Sequence, residues 1–240
     1  MNMDKRIVIT GANGFIGSHM IAELTASNTP VSAVVRNTSN YDVLKKLKCY
    51  NVIGTDNLNN PTLIRRLSIS KPDYFVHCAW SKDHGENITT LVEAIKLAKV
   101  LKCKGFVSIG SYEEYGIEND NLDESQVCVP KTEFGKVKYA YYLVANTLCN
   151  KEEINHCHVR LSIPYSIREN EGFYFTKVIK AISRGEEPSI ISPFNSKDYI
   201  HASDIARGII ALIKNDSHGL YNLGAGEATK NKMLLNMIYE

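Results

Sequence analysis

Short, nearly unbroken apolar runs alternate along the first two thirds of the chain with longer stretches whose apolar residues recur every three or four positions. The runs Ile7–Thr10, Val31–Val35, Tyr74–His77, Gly105–Ile109 and His156–Leu161 read as strands buried on both faces. A strand with one wet face would show a polar residue at every second position, because successive side chains point to opposite sides. The stretches Phe15–Ala26, Asn87–Leu101 and Phe134–Asn150 read as helices; in the second, Ile88, Leu91, Val92, Ile95 and Ala98 make one apolar stripe. Strands alternating with helices predict an α/β fold, a parallel sheet covered on both faces.

After Leu161 the rhythm changes. The polar stretch SIPYSIRENEG leads to a helical pattern over Phe173–Arg184, then Pro188 and Pro193, then a helix over Ser203–Ile213. Ser203 is placed as the cap of that last helix, with Asp204 in its first turn. Residues 1–161 are therefore expected to form the sheet domain. Residues 162–240 are expected to form a smaller lobe packed against it, with no linker to separate the two cleanly.

The bulk numbers exclude several classes. Hydrophobic residues make up 44% and charged residues 22% of 240, the balance of an ordinary soluble globular protein. Net charge is only +2, so a nucleic-acid partner is not expected. No apolar run approaches the roughly 20 residues needed to cross a bilayer, and MNMDKR runs directly into IVIT without a leader, so no membrane role and a cytoplasmic location are expected. The six cysteines are scattered without a Cys-x-x-Cys pair, and Cys78 and Cys157 fall in strands as small buried hydrophobes. His156-Cys157-His158 has the look of a metal triplet. In a strand, however, the histidines would face one way and the cysteine the other, so no metal is expected.

The chemistry starts at the first strand. IVIT leads directly into Gly11-Ala-Asn13-Gly14-Phe15-Ile16-Gly17 and then a helix. The first glycine permits a tight turn, the second lets backbone N–H groups approach a pyrophosphate, and the third lets helix and strand pack closely. In this strand–loop–helix setting the triplet reads as a dinucleotide site, and the fold as a Rossmann-like doubly wound sheet. The second strand ends in Val35-Arg36-Asn37, without the acidic residue that would hold an NAD ribose. Arg36 suits a 2′-phosphate, so NADP is expected ahead of NAD. Asp56 is either a contact to the adenine amino group or a turn aspartate.

Several further motifs resemble the extended short-chain dehydrogenase/reductases, specifically their nucleotide-sugar epimerase, dehydratase and reductase group, over nearly the whole chain. TGANGFIGSH is similar to the opening fingerprint, and FVHCAW to the fourth-strand segment that sets Ala79 against the cofactor. Asn87 resembles the asparagine that heads a helix. FVSIGSYEEYG maps the substrate-contacting hydroxyl onto Ser111. VPKTEFGKVK maps the catalytic lysine onto Lys138, which would also hold the nicotinamide ribose, and the catalytic tyrosine onto Phe134. KDYIHASDIA and GLYNLGAGE resemble two later motifs. The resemblance implies a nucleotide-diphosphate sugar substrate, with Arg168, Lys197, Asp198 and Tyr199 candidates for the diphosphate. It also implies a homodimer paired through Asn87–Lys102 and Phe134–Asn150. The face Val137, Tyr141, Val144 and Leu148 suits that pairing or a sheet-facing core. Glu240 comes earlier than the end of most relatives, so the substrate lobe is expected to be abbreviated.

Phe134 is the departure. It has the tyrosine's shape without an ionisable oxygen, and losing a positioned acid typically costs about 10²–10⁴-fold in rate. Tyr41 matches Tyr-x-x-x-Lys but lies on the adenine side, Tyr139 points about 100° from Lys138, and Tyr141 and Tyr142 sit a turn further from the nicotinamide. Tyr112 is either a replacement donor or a rim aromatic that packs on substrate, and Glu113 matches the base of related dehydratases. Three explanations stay open: a slow natural variant, a changed reaction through Tyr112 or Glu113, and a deliberate substitution. GSYEEYG is most similar to the segment in 4-keto-sugar reductases and epimerases of deoxysugar and cell-surface polysaccharide pathways. Reduction or epimerisation is therefore expected first, 4,6-dehydration second. A non-catalytic NADP-binding sensor is the alternative from another class.

Overall fold

In a computed structural model, which describes residues 4–116, 121–166, 174–187 and 194–239, the strands are β1 (Ile7–Thr10), β2 (Val31–Val35), β3 (Val52–Gly54), β4 (Tyr74–His77), β5 (Gly105–Ser111), β6 (Asn155–Leu161), β7 (Ile163–Tyr165), β8 (Ser196–His201), β9 (Gly219–Leu223) and β10 (Ala228–Lys230). The helices are α1 (Phe15–Ala26), α2 (Asp42–Lys46), α3 (Pro61–Ser70), α4 (His84–Val100), α5 (Glu133–Lys151), α6 (Tyr174–Ser183), α7 (Ala202–Lys214) and α8 (Asn231–Tyr239).

One seven-stranded sheet runs in the order β3-β2-β1-β4-β5-β6-β9, every pair parallel. The chain moves outward from β1 through β2 to β3, then crosses back to β4 and outward again. The order reverses between β1 and β4, and beside such a switch point doubly wound sheets bind their ligands. Because the crossovers lay helices on both faces, two apolar cores form. One packs α1 and α7 against Ile7, Ile9, Val76, Val107 and Val159; the other packs α3, α4 and α5 against Val8, Phe75 and Phe106. Adjacent residues of β1 thus feed opposite cores, which is why its sequence shows no polar alternation.

A second sheet has three strands in the order β10-β8-β7, with β7 and β8 parallel and β10 antiparallel to β8. β9 and α7 also come after residue 161, yet they belong to the large sheet and its helical layer.

Two local expectations are corrected. Ser203 does not cap α7: His201 does, its imidazole Nδ1 accepting the Ser203 N–H at 3.2 Å, and Ser203 lies inside the first turn. Asn87 does not head α4. The helix starts three residues earlier at His84, because the Asp83 carboxylate accepts the N–H groups of Gly85 and Glu86 and offsets the low helix propensity of that glycine. Of the two readings of the α5 face, Tyr141, Val144 and Leu148 take the sheet-facing one: Tyr141 is buried, and Val144 and Leu148 pack on the second core. Among the described residues no helix is long and apolar enough to cross a membrane, and no group of three metal-ligating side chains occurs. His156 and His158 share one face, both on Ser108, while Cys157 enters the first core on the other.

Candidate active site

The loop after β1 is shaped for close backbone approach. Gly11 has φ +65°, and a Cβ there would sit 2.6 Å from the Ala79 backbone nitrogen. A Cβ on Gly17 would collide with the Gly11 carbonyl oxygen. Ala79, two residues past β4, is thus pressed against the loop. Gly14 caps α1 without a side-chain bond, and no acidic residue occupies the helix's first turn. The positive end of the helix is therefore not offset by a capping side chain or an acidic residue, which suits a pyrophosphate. Of the other loop residues, Asn13 donates through Nδ2 to the Asn40 carbonyl at 3.3 Å, Ile16 packs on the first core, and the Phe15 ring meets His19 edge-on.

At the far end of β2, Arg36 is exposed. Asp56 is not free: its Oδ1 accepts the Asn37 backbone N–H at 3.1 Å and its Oδ2 accepts Asn37 Nδ2 at 2.8 Å. These two bonds hold the β2 exit. Asn87, 3% exposed, clamps the loop after β4, its Oδ1 accepting the Ser81 N–H at 2.6 Å and its Nδ2 donating to the Ser81 carbonyl at 2.9 Å. It holds the segment that follows Ala79.

β5 ends at Ser111, which caps one 3-10 turn, Tyr112–Glu114. The Ser111 Oγ accepts the Glu113 N–H at 3.2 Å, and Glu114 Oε1 accepts the Ser111 N–H at 2.8 Å. The two bonds form a capping box. α5 begins beside this turn, capped by Thr132, whose Oγ1 accepts the Gly135 N–H at 2.9 Å and donates to Glu113 Oε2 at 2.5 Å. A Cβ on Gly135 would strike the Glu113 carbonyl oxygen, so glycine sets how closely α5 docks. That docking brings Lys138 beneath the end of β5, where its Nζ donates to the Ile109 carbonyl at 2.8 Å.

Lys138 is 6% exposed, and burial pulls its pKa down to about 7 even though the Glu114 charge acts to raise it. Its ammonium lies 3.5 Å from the centre of the Trp80 ring and 5.7 Å from that of Phe134, which sits one turn earlier on the same side of α5. Trp80 and Phe134 meet edge-on at 5.7 Å. Tyr112 faces the smaller lobe instead. Burial first, then Glu113 and Tyr199, push its pKa to about 12, and Lys197 Nζ lies 5.6 Å from its ring centre. Tyr199 donates to Asn231 Oδ1 at 2.7 Å. Asp198 accepts the N–H groups of Ala225 and Gly226, so it ties β8 to the loop after β9 and is not free for a diphosphate. Arg168 lies outside the described residues. Tyr41 caps α2 far along the chain path from Lys138, with Lys45 over its own ring at 5.3 Å.

Thus Phe134 and Lys138 come together on Trp80, the residue after Ala79; Ser111 ends the strand whose Ile109 carbonyl Lys138 engages, and Lys197 lies over the Tyr112 ring. Sequence reasoning passed over Trp80 and Glu114. For Glu114 a signal existed: Ser111-Tyr-Glu-Glu114 is the S-x-x-E pattern of a capping box.

The profile of the NAD dependent epimerase/dehydratase family matches residues 7–224, and the chain belongs to that family. CDP-abequose synthase of Salmonella muenchen is 23% identical, over 99% of this chain and 81% of its own. GDP-6-deoxy-D-mannose reductase of Pseudomonas aeruginosa is 22% identical, over 98% and 80%. Among solved structures, dTDP-glucose 4,6-dehydratase of Bacillus anthracis in complex with NAD superposes with a TM-score of 0.87 at 17% identity, over 98% of this chain and 80% of that one. The fold is that of the extended short-chain dehydrogenase/reductases, whose nucleotide-sugar epimerases, dehydratases and reductases are this chain's relatives.

Proposed function

We propose that this protein reduces the 4-keto group of a nucleotide-linked hexose, or epimerises such a sugar, with NADP as its cofactor. The observation that carries the choice of reaction is the Glu113 carboxylate, which is engaged by the Thr132 hydroxyl at the start of α5. Dehydration needs a free carboxylate base, whereas adding hydride and a proton across a carbonyl does not. The cofactor, when bound, supplies or accepts the hydride.

The residues present fit a dinucleotide. Gly11, Gly14 and Gly17 would cradle the pyrophosphate with the start of α1, and Ala79 backs the loop. Arg36 takes the 2′-phosphate. With Asp56 bound to Asn37, neither residue offers a free carboxylate for a ribose 2′-hydroxyl, which favours NADP. Ser111 keeps its hydroxyl proton for the sugar oxygen, and Lys138 orders the nicotinamide end. Tyr112, Lys197 and Tyr199 line the approach from the smaller lobe, where the nucleotide diphosphate would lie. Phe134 offers no proton, so turnover is slower than with tyrosine.

A homodimer joined on the outward sides of α4 and α5, where Val100 and Leu143 are exposed, and a cytoplasmic location complete the proposal. All six cysteines are free, as a reducing compartment requires. Light scattering tests the dimer.

The test of function is NADPH oxidation with a panel of nucleotide 4-keto-sugars, on this protein and Phe134→Tyr together. A gain of about 10²-fold or more from the tyrosine is expected. Equal activity of the two proteins would place the proton donor elsewhere. Binding of dinucleotide with no binding of any sugar nucleotide would overturn the enzyme in favour of a sensor.

A further inference from the structure

At the edge of the large sheet away from the glycine loop, β1 and β2 begin side by side, Ile7 paired with Val31. Between them and the ends of α1, α2 and α3 lies a cavity of about 560 Å³, within the size range of small-molecule sites. Ile7 lines it, whereas Gly11 follows the other end of β1, roughly 13 Å away along the four-residue strand. The proposed reaction makes no use of this place.

The floor of the cavity is polar and held in place. Ser32 is 3% exposed; its Oγ accepts from Asn51 Nδ2 at 2.6 Å and donates to Ser70 Oγ at 3.4 Å, and Ser70 donates in turn to the Leu67 carbonyl at 2.8 Å. This chain of bonds fixes the Asn51 amide at the cavity wall. Among the described residues its Oδ1 and second N–H are not engaged, so they are available to a ligand.

Helix C-termini disfavour anions, and three of them point this way. Their last carbonyls are already engaged, however. The left-handed residues Asn28, Lys48 and Lys71 (φ 53°, 56° and 46°) turn their N–H groups back onto the carbonyls of Thr25, Lys45 and Leu67 at 3.1, 2.9 and 3.0 Å. What remains at the cavity is the positive charge of Arg6 and Lys48, and among the described residues no carboxylate lines it. Asp73 meets Arg6 at Nε, 3.6 Å away, which leaves the two Nη groups of the fork; the same carboxylate also faces Lys104 at 4.0 Å. Lys48 has no ion pair among the described residues. Tyr50 stands at the rim, 91% exposed. An exposed tyrosine or lysine by itself needs no explanation. Here an aromatic face, two cations and a fixed amide border one cavity that holds no opposing charge.

We propose that this cavity is a second ligand site, for a nucleoside monophosphate. Arg6 and Lys48 take the phosphate, one as a fork and the other as a point charge. Asn51 and Ser70 meet the ribose hydroxyls, and the Tyr50 ring stacks on the base. The site needs neither the glycine loop nor Lys138, so it stands apart from the reaction proposed above.

The test is calorimetric titration of the whole protein with AMP and with ribose 5-phosphate, NADPH being present in excess to occupy the glycine loop. AMP is expected to bind, and ribose 5-phosphate to bind about tenfold more weakly for want of the base. Tyr50→Ala should weaken AMP by about tenfold and leave ribose 5-phosphate unchanged. Lys48→Asn removes the charge with a residue that tolerates the left-handed backbone, and should weaken both probes by about tenfold. Both side chains are exposed, so neither change threatens the fold. No saturable binding of AMP at millimolar concentration overturns the proposal, as does binding that Tyr50→Ala and Lys48→Asn leave untouched. Equal affinity for the two probes overturns the choice of a nucleotide. AMP binding lost in Lys197→Ala instead would belong to the smaller lobe, and the proposal would fail while the sugar-nucleotide reading gained support.

Discussion

The Lys138 ammonium rests on the face of the Trp80 indole, 3.5 Å from the ring centre, while it donates to the Ile109 carbonyl at 2.8 Å. A cation on an aromatic face gains about 0.5–2 kcal/mol, more when water is excluded. The ring therefore offsets part of the cost of burying this lysine. Trp80 is also the only tryptophan in the chain, so its fluorescence reports on the site alone.

That gives a direct assay for the cofactor. NADPH absorbs where tryptophan emits, and Trp80 follows Ala79 at the switch point of the sheet. Saturable quenching of Trp80 emission by NADPH is expected. Gly17→Ala should abolish it at concentrations that saturate the parent protein, because the added Cβ collides with the Gly11 carbonyl oxygen and breaks the cradle. Equal quenching in a folded Gly17→Ala would remove the glycine loop from the binding site.

Lys138 also makes stability depend on pH. Its pKa falls from an ordinary 10.5 in the unfolded chain to about 7 on folding, chiefly through burial. Below pH 7 both states hold the proton and stability is flat with respect to this group. Between about 7 and 10.5 the unfolded chain binds the extra proton, so stability rises with pH, by at most about 1.4 kcal/mol per unit. The raised thiols, such as Cys103 and Cys149, work in the opposite direction only near and above their ordinary value of 9.0. Urea unfolding at pH 7 and 8.5 should show the parent gaining on Lys138→Met; parallel behaviour of the two would mean the lysine is not titrating there.

How far the sequence could be read followed from where each signal lay. β1, β2, β4 and α1 were legible to the residue, because central parallel strands are apolar throughout and the glycine loop fixes their neighbour. β7, β8, β9 and β10 were not: SKDYIH and ATK carry polar and charged residues, as short strands of a half-solvated lobe do, and their pairing is between segments distant in sequence. In the site, Ser111 and Lys138 were legible as motif positions. Glu113 and Glu114 were not distinguishable as neighbours in a string. One turn of 3-10 helix sends the first towards Thr132 and the second into the core, and only the third dimension separates them.

The Glu113–Thr132 contact carries its own prediction. Thr132 caps α5 through Gly135 and holds Glu113 with the same oxygen. Thr132→Ala should cost about 1 kcal/mol, as lost caps do. Glu113→Gln should cost less, since its amide can still accept from the Thr132 hydroxyl. Chemical denaturation of both variants decides it; a larger loss from Glu113→Gln would show that the carboxylate has a structural partner beyond Thr132.

The choice between dinucleotides turns on Arg36. It stands exposed at the end of β2, where a 2′-phosphate would arrive, and the nearby Asp56 is neutralised in hydrogen-bonding terms by two Asn37 donors. A guanidinium engages a phosphate bidentately and gains nothing comparable from a ribose hydroxyl. Arg36→Ala should therefore weaken NADPH by about tenfold or more, a loss of roughly 1.5–3 kcal/mol for a charge-assisted bond, and leave NADH nearly unchanged. Asp56→Asn should weaken both alike, because it loosens the Asn37 turn rather than removing a contact to one of them. Titrating Trp80 quenching with the two cofactors separates these effects, and equal losses of NADH and NADPH in Arg36→Ala would show that the arginine packs on adenine, common to both, and does not select NADP.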